Sequence, residues 1–121
     1  MLKSVFIIDD DPISNLVSET ILKKVGFAEK YHTFENPKAA LEKLDSLAPD
    51  LVFLDLWMPV LDGWSFLAKC KDLEKGFKII LLTATINPED QTKAKSHPEV
   101  IDIISKPLSK EYIEELKAKF E

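Results

Sequence analysis

A chain of 121 residues, 45% hydrophobic and 31% charged, carries enough apolar surface for one core and is neither disordered nor low in complexity. The net charge is −5 and every basic residue is a lysine, so direct nucleic-acid binding is not expected. No apolar stretch approaches the roughly 20 residues of a membrane span, and the run Val5–Ile8 is too short for a secretory leader, which predicts a cytoplasmic protein with no membrane partner.

Cys70 is the only cysteine; it excludes an internal disulfide and any cysteine-based zinc cluster, and reads as a small side chain on a helix. Residues 1–121 read as a single domain with no room for an attached output domain.

In chain order, the apolar run Val5–Ile8 predicts a first strand. Ile13, Leu16, Val17, Thr20, Ile21 and Lys24 then form a stripe at three- and four-residue steps, and Gly26 ends that helix. Tyr31–Phe34 alternates apolar and polar residues, as an edge strand does. Asn36 with Pro37 opens a second helix that turns Ala40, Leu41 and Leu44 inward. The run Leu51–Leu54 predicts the third strand, and Trp64–Leu73, with Trp64, Leu67 and Ala68 as a partial stripe, a third helix. Ile79–Leu82 gives the fourth strand, and Asn87-Pro88 followed by Glu89 and Asp90 starts the fourth helix. Val100–Ile104, broken only by Asp102, reads as a fifth strand buried like the others. Ser109 caps a last helix with Ile113, Leu116 and Phe120 toward the core. Strands alternating with helices imply right-handed crossovers and a doubly wound α/β fold with a five-stranded parallel sheet.

In such a sheet, ligands bind beyond the carboxyl ends of the strands. The first strand ends in Asp9 and Asp10, the third in Asp55, the fourth in Thr83, and the fifth in Ser105 and Lys106. Carboxylates from two strands repel unless a cation offsets them, and hard oxygen ligands favour Mg2+, Mn2+ or Ca2+. Lys106 and the Thr83 hydroxyl add a charge and a donor suited to phosphoryl oxygens. Asp11 before Pro12 reads instead as a helix cap.

The ordered set Ile7-Ile8-Asp9-Asp10-Asp11, Leu54-Asp55-Leu56-Trp57-Met58-Pro59 with Asp62-Gly63, Leu82-Thr83-Ala84 and Ser105-Lys106-Pro107 resembles the receiver domain of two-component response regulators over essentially the whole chain. The resemblance implies a flavodoxin-like (βα)5 fold with strand order 2-1-3-4-5 and a phosphorelay function. By it, Asp55 is the phosphoacceptor nucleophile. Mg2+ (or Mn2+) is held by Asp10 directly, by Asp9 mainly through water, and by Asp55 and the backbone carbonyl of Trp57. Thr83 and Lys106 grip the phosphoryl oxygens, and the Lys106–Pro107 bond is cis. The implied donor is a phosphohistidine on a sensor histidine kinase or phosphotransfer protein. Output passes to a downstream partner or a separate output domain, with a homodimer through the face of the fourth helix, fifth strand and fifth helix as one mode. The chain would be a switch that assists its own phosphorylation and slow dephosphorylation, not an enzyme.

Two positions depart from this pattern. Where many receivers carry an aromatic residue three places before the lysine, this chain has Ile103, so output is expected to rely on the Thr85–Pro88 loop and the helix after it. The bulky Trp57 either packs against the loop or shields an acyl phosphate from water. His32 and His97 read as packing or surface residues. One rival, a haloacid-dehalogenase-type phosphatase, needs a second aspartate two residues after the first, and position 57 is tryptophan. A second, a receiver-like module that takes no phosphate, would be expected to lose one of Asp9, Asp10, Asp55, Thr83 or Lys106.

Overall fold

The computed structural model describes residues 1–59, 61–70 and 76–120. Five strands alternate with five helices: β1 (Leu2–Ile8), α1 (Pro12–Val25), β2 (Ala28–Phe34), α2 (Pro37–Leu47), β3 (Leu51–Asp55), α3 (Gly63–Cys70), β4 (Lys78–Thr83), α4 (Pro88–Lys95), β5 (Val100–Ser105) and α5 (Lys110–Phe120). All four strand pairings are parallel and the order is β2-β1-β3-β4-β5, as the resemblance implies. The third helix was expected to reach Leu73; residues 71–73 lie outside the described residues.

Side chains alternate across the central strands and build two cores. Phe6, Ile8, Val52, Leu54, Ile79 and Leu81 pack with Ala40 and Leu44 of α2, Phe66, Leu67 and Cys70 of α3, and Ala94 of α4. Val5, Ile7, Leu51, Phe53, Ile80 and Leu82 pack with Leu22 of α1 and Ile113 and Leu116 of α5. Burying β1, β3 and β4 on both faces explains their unbroken apolar runs. In α3 it is Phe66, not Ala68, that joins Leu67 in the core; Ala68 is exposed.

The helix starts follow their signals. The side chains of Asp11, Asn36 and Asn87 accept from Ile13, Lys38 and Asp90 N–H respectively, each ahead of a proline in the first turn. Ser109 Oγ accepts from Tyr112 N–H. Gly26, at φ +69°, closes α1 in the left-handed conformation that glycine adopts without strain.

Two expectations are corrected. The first half of the α1 stripe faces solvent: Ile13 is 70% and Leu16 64% exposed, with Val17 exposed beside them, while Ile21 packs against the core and Asn15, Ser18 and Leu22 are buried. Asn15 fixes this rotation, because its amide donates to the carbonyls of Asp9 (2.9 Å) and Phe34 (3.3 Å). β5, expected to be buried like the other runs, is an edge strand. Its pairing with β4 skips Ile101 at a register shift, and Ile101 stands 43% exposed. The two histidines pack: His32 lies edge-on to Phe6, and buried His97 stacks on Trp64.

Candidate functional site

Strand order 2-1-3 reverses direction between β1 and β3, and at that point the carboxyl ends of the strands leave a crevice. β1 delivers Asp9 there and β3 delivers Asp55, both buried, while Asp10 is exposed at the rim. Lys106, one residue past β5, reaches back to both. Its Nζ lies 2.6 Å from Asp9 Oδ2 and 3.4 Å from Asp55 Oδ1. Thr83, buried at the end of β4, is paired with Ser105, and its carbonyl accepts from Lys106 N–H at 2.8 Å. Thr83 Oγ1 donates to the Thr85 carbonyl at 3.2 Å, within the loop that leads to α4. The Lys106–Pro107 peptide is cis.

The Asp9 and Asp55 carboxylates differ electrically. Burial pushes the Asp9 carboxyl up, but hydrogen bonds from Lys106, Ser14 and the Asp11 N–H, with the lysine charge, outweigh it and hold Asp9 below the usual carboxylate range. Burial, and then the negative charge of Asp9, pushes Asp55 up to about 6; Lys106 and the Trp57 N–H offset only part of this. Lys106 is itself raised: burial works against its charge, and the hydrogen bond to Asp9 and the two carboxylate charges more than compensate. One buried carboxylate is thus firmly ionised, and its neighbour is poised near neutrality.

Donor oxygens of Asp9, Asp10 and Asp55 lie within 4.8 Å of one another. An all-oxygen, anionic set of this size fits Mg2+ or Mn2+, which bind through one or two carboxylates and keep other positions for water and substrate oxygens. The Trp57 N–H points at Asp55 Oδ1 (3.4 Å), so the backbone after β3 wraps around that carboxylate, and the Trp57 side chain stands 54% exposed.

Asn15 and Gly63 position the site, and of the two Asn15 carries little sequence signal. Asn15 sits on the buried face of an apparently amphipathic helix, where hydrophobic periodicity hides a polar anchor. Gly63 packs against the turn after Asp55; a Cβ there would stand 2.9 Å from Leu56 Cα and 3.0 Å from the Asp55 carbonyl oxygen. The Gly63 N–H donates to the Leu56 carbonyl at 2.8 Å. Ile103, at the position that is aromatic in many receivers, is half-buried against the core beside α2, α3 and α4.

Residues 5–118 match the response regulator receiver domain. A two-component response regulator of Oryza sativa subsp. japonica is 31% identical over 118 residues, covering 96% of this chain and 92% of that protein. Hybrid signal transduction histidine kinase C of Dictyostelium discoideum is 33% identical over 125 residues; 97% of this chain is covered, and the chain spans 10% of the kinase's length. The crystal structure of a two component response regulator from Cytophaga hutchinsonii superposes with a TM-score of 0.88 at 29% identity, covering 98% of this chain and 96% of that one. Among the described residues no helix is long and apolar enough to cross a membrane. With its five parallel strands in the order 2-1-3-4-5 and its match over nearly the whole sequence, the chain belongs to the response regulator receiver family, the signalling switches of two-component systems.

Proposed function

We propose that the chain accepts a phosphoryl group on Asp55 from a phosphohistidine of a sensor histidine kinase or phosphotransfer protein, in a cytoplasmic reaction that depends on Mg2+ (or Mn2+). The observation that carries this reading is the placement of the Lys106 ammonium between Asp9 and Asp55, 2.6 and 3.4 Å away, at the mouth of the switch-point crevice. Phosphoryl transfer asks little covalent chemistry of a protein; it asks for in-line positioning and for charge to be neutralised. An Asp55 oxygen attacks phosphorus, the P–N bond breaks, and its electron pair returns to the donor imidazole, leaving an acyl phosphate. Lys106 and the Thr83 hydroxyl stabilise the charge on the equatorial oxygens. A divalent ion held by Asp9, Asp10, Asp55 and the Trp57 carbonyl would neutralise the remaining charge.

The exposed apolar residues Ile13, Leu16 and Val17 on α1 support a protein donor. Ile13 and Val17 line a hollow together with Lys106 and Pro107, so a helix bringing phosphohistidine to Asp55 would cover them. For the output, the Thr83 hydroxyl now occupied by the Thr85 carbonyl turns to the phosphoryl group, frees that carbonyl, and shifts the loop into α4. The signal then leaves through the α4-β5-α5 face to a downstream partner, a separate output domain or a second copy.

Incubation with phosphoramidate, with and without Mg2+, tests the chemistry by intact mass. A single phosphoryl adduct that requires Mg2+ and is absent in Asp55→Asn is expected. A metal-independent adduct, or one that persists in the Asn variant, refutes the assignment.

A further inference from the structure

α4 leans on α3 through one aromatic ring. Lys93 Nζ stands 4.7 Å from the centre of Trp64, and His97, just past the end of α4, stacks on the same ring with centroids 5.8 Å apart and planes 27° from parallel. The backbone of His97 joins two elements: its N–H donates to the Ala94 carbonyl at 3.1 Å, and its carbonyl accepts from Val100 N–H of β5 at 3.0 Å. Glu99 is fixed to the sheet, its carbonyl accepting from Ile79 N–H of β4 at 2.8 Å. His97 Nδ1 and Glu99 Oε1 lie 3.3 Å apart, both buried, and neither has a hydrogen-bond partner among the described residues. A gap of that length between a ring nitrogen and a carboxylate oxygen has room for one proton, which would satisfy both atoms.

We propose that His97 and Glu99 form a proton-operated latch on α4: protonated His97 pairs with Glu99 and holds the end of the helix against Trp64, and loss of the proton frees it. Imidazole is the side chain that changes charge between about pH 5 and 8. Charged, it gains a buried carboxylate oxygen at 3.3 Å, and it sits at the C-terminal end of α4, where the helix dipole favours a cation. The other charged groups around it do not reverse that sign. Asp90, buried further up the same face of α4, favours the cation. Lys93 opposes it, but Lys93 is exposed and water screens its charge. From α3, Cys70 adds no charge: burial, and then the charge of Glu99, pushes its thiol up to about 12. With output passing through α4, a reading on which this consequence rests, acidification opposes the helix shift that phosphorylation drives. By linkage, phosphorylation loosens the proton in return.

Amide hydrogen exchange along α4 reads the latch in unphosphorylated protein. With intrinsic rates corrected for pH, residues 91–96 should exchange about fivefold more slowly at pH 5.5 than at pH 8.0, the size expected of a sheltered cation at a helix end. His97→Gln should exchange equally at the two pH values, which separates the latch from every other group that titrates over that range. Equal exchange in wild type, faster exchange at pH 5.5, or a pH dependence that survives in His97→Gln overturns the proposal. Glu99→Gln leaves the imidazole on Trp64 and covers the case in which the first variant does not fold. It should lose at least half of the pH effect, and an undiminished effect overturns the proposal. These measurements use no phosphate, so failure of Asp55 to form an adduct would remove the phosphoacceptor reading and leave the latch intact. In protein phosphorylated with phosphoramidate and Mg2+, the Trp64 indole N–H resonance should move further at pH 8.0 than at pH 5.5; equal movement refutes the opposition to output.

Discussion

Gly63 and Leu56 are in backbone contact: the Gly63 N–H bonds to the Leu56 carbonyl, and a Cβ on Gly63 would meet Leu56 Cα at 2.9 Å. The glycine therefore sets how closely α3 seats behind β3, the strand that carries Asp55. Gly63→Ala must push that turn away or tilt the helix, and forced overpacking of this kind costs about 1–3 kcal/mol. Urea denaturation should show a loss in that range, together with slower adduct formation from phosphoramidate. A midpoint shift equivalent to less than about 0.5 kcal/mol, the usual range of innocuous surface changes, would contradict the contact.

Asp55 is a buried acid held at about 6, above its ordinary value of 3.8. The folded state therefore binds its proton more tightly than the unfolded state does, and ionisation of Asp55 destabilises the fold. In metal-free protein the cost is full above about pH 6 and disappears below about pH 4, where both states are protonated. Asp55→Asn removes the charge, so it should be more stable than wild type by about 1–3 kcal/mol at pH 7.5, an advantage that fades as pH falls toward 4. Chemical denaturation in EDTA at the two pH values checks this. An advantage that grows on acidification would reverse the sign and refute the electrostatic account.

The rotation of α1 makes an unusual pair of outcomes. Leu16 is mostly exposed and Leu22 fully buried, although both are leucines on one helix. Leu16→Ser should change stability by less than about 0.5 kcal/mol, and Leu22→Ala should cost about 2–5 kcal/mol. Comparable losses at both positions would place the helix in the orientation its apolar stripe suggests rather than the one Asn15 imposes.

Trp57 follows Asp55, the proposed phosphoacceptor, by two residues, and its indole is half in solvent. A large ring beside an acyl phosphate hinders the approach of water. Trp57→Ala should shorten the lifetime of the Asp55 adduct by about threefold or more, read as the decay of the adduct mass after donor removal. An unchanged lifetime means that the ring does no shielding.

Most of the fold was legible because β1, β3 and β4 are sandwiched between helices and so appear as unbroken apolar runs, and because proline after aspartate or asparagine marks three helix starts. What was hidden depends on contacts distant in sequence. The exposed stripe of α1 was misleading because periodicity reports that a face is apolar, not what covers it, and Asn15 bonds across to β2. β5 looked buried because an apolar run on an edge strand reads the same as one in the middle. For the candidate site, strand-end positions of Asp9, Asp10, Asp55, Thr83 and Lys106 could be read directly, since a parallel sheet brings its carboxyl ends together. That Lys106 sits closer to Asp9 than to Asp55 could not, because it depends on how the lysine side chain is threaded between two carboxylates brought together from distant strands.

α4 gives the core only Ala94 and a buried Asp90, the least apolar anchoring of the five helices. A helix held so lightly opens locally at small free-energy cost, whereas α1, α2, α3 and α5 are each pinned by at least one large apolar side chain. The Thr83–Thr85 hydrogen bond lies immediately upstream of it. With isoleucine at position 103, a helix anchored this lightly is the element expected to answer a change of partner at the Thr83 hydroxyl, with no aromatic lever needed.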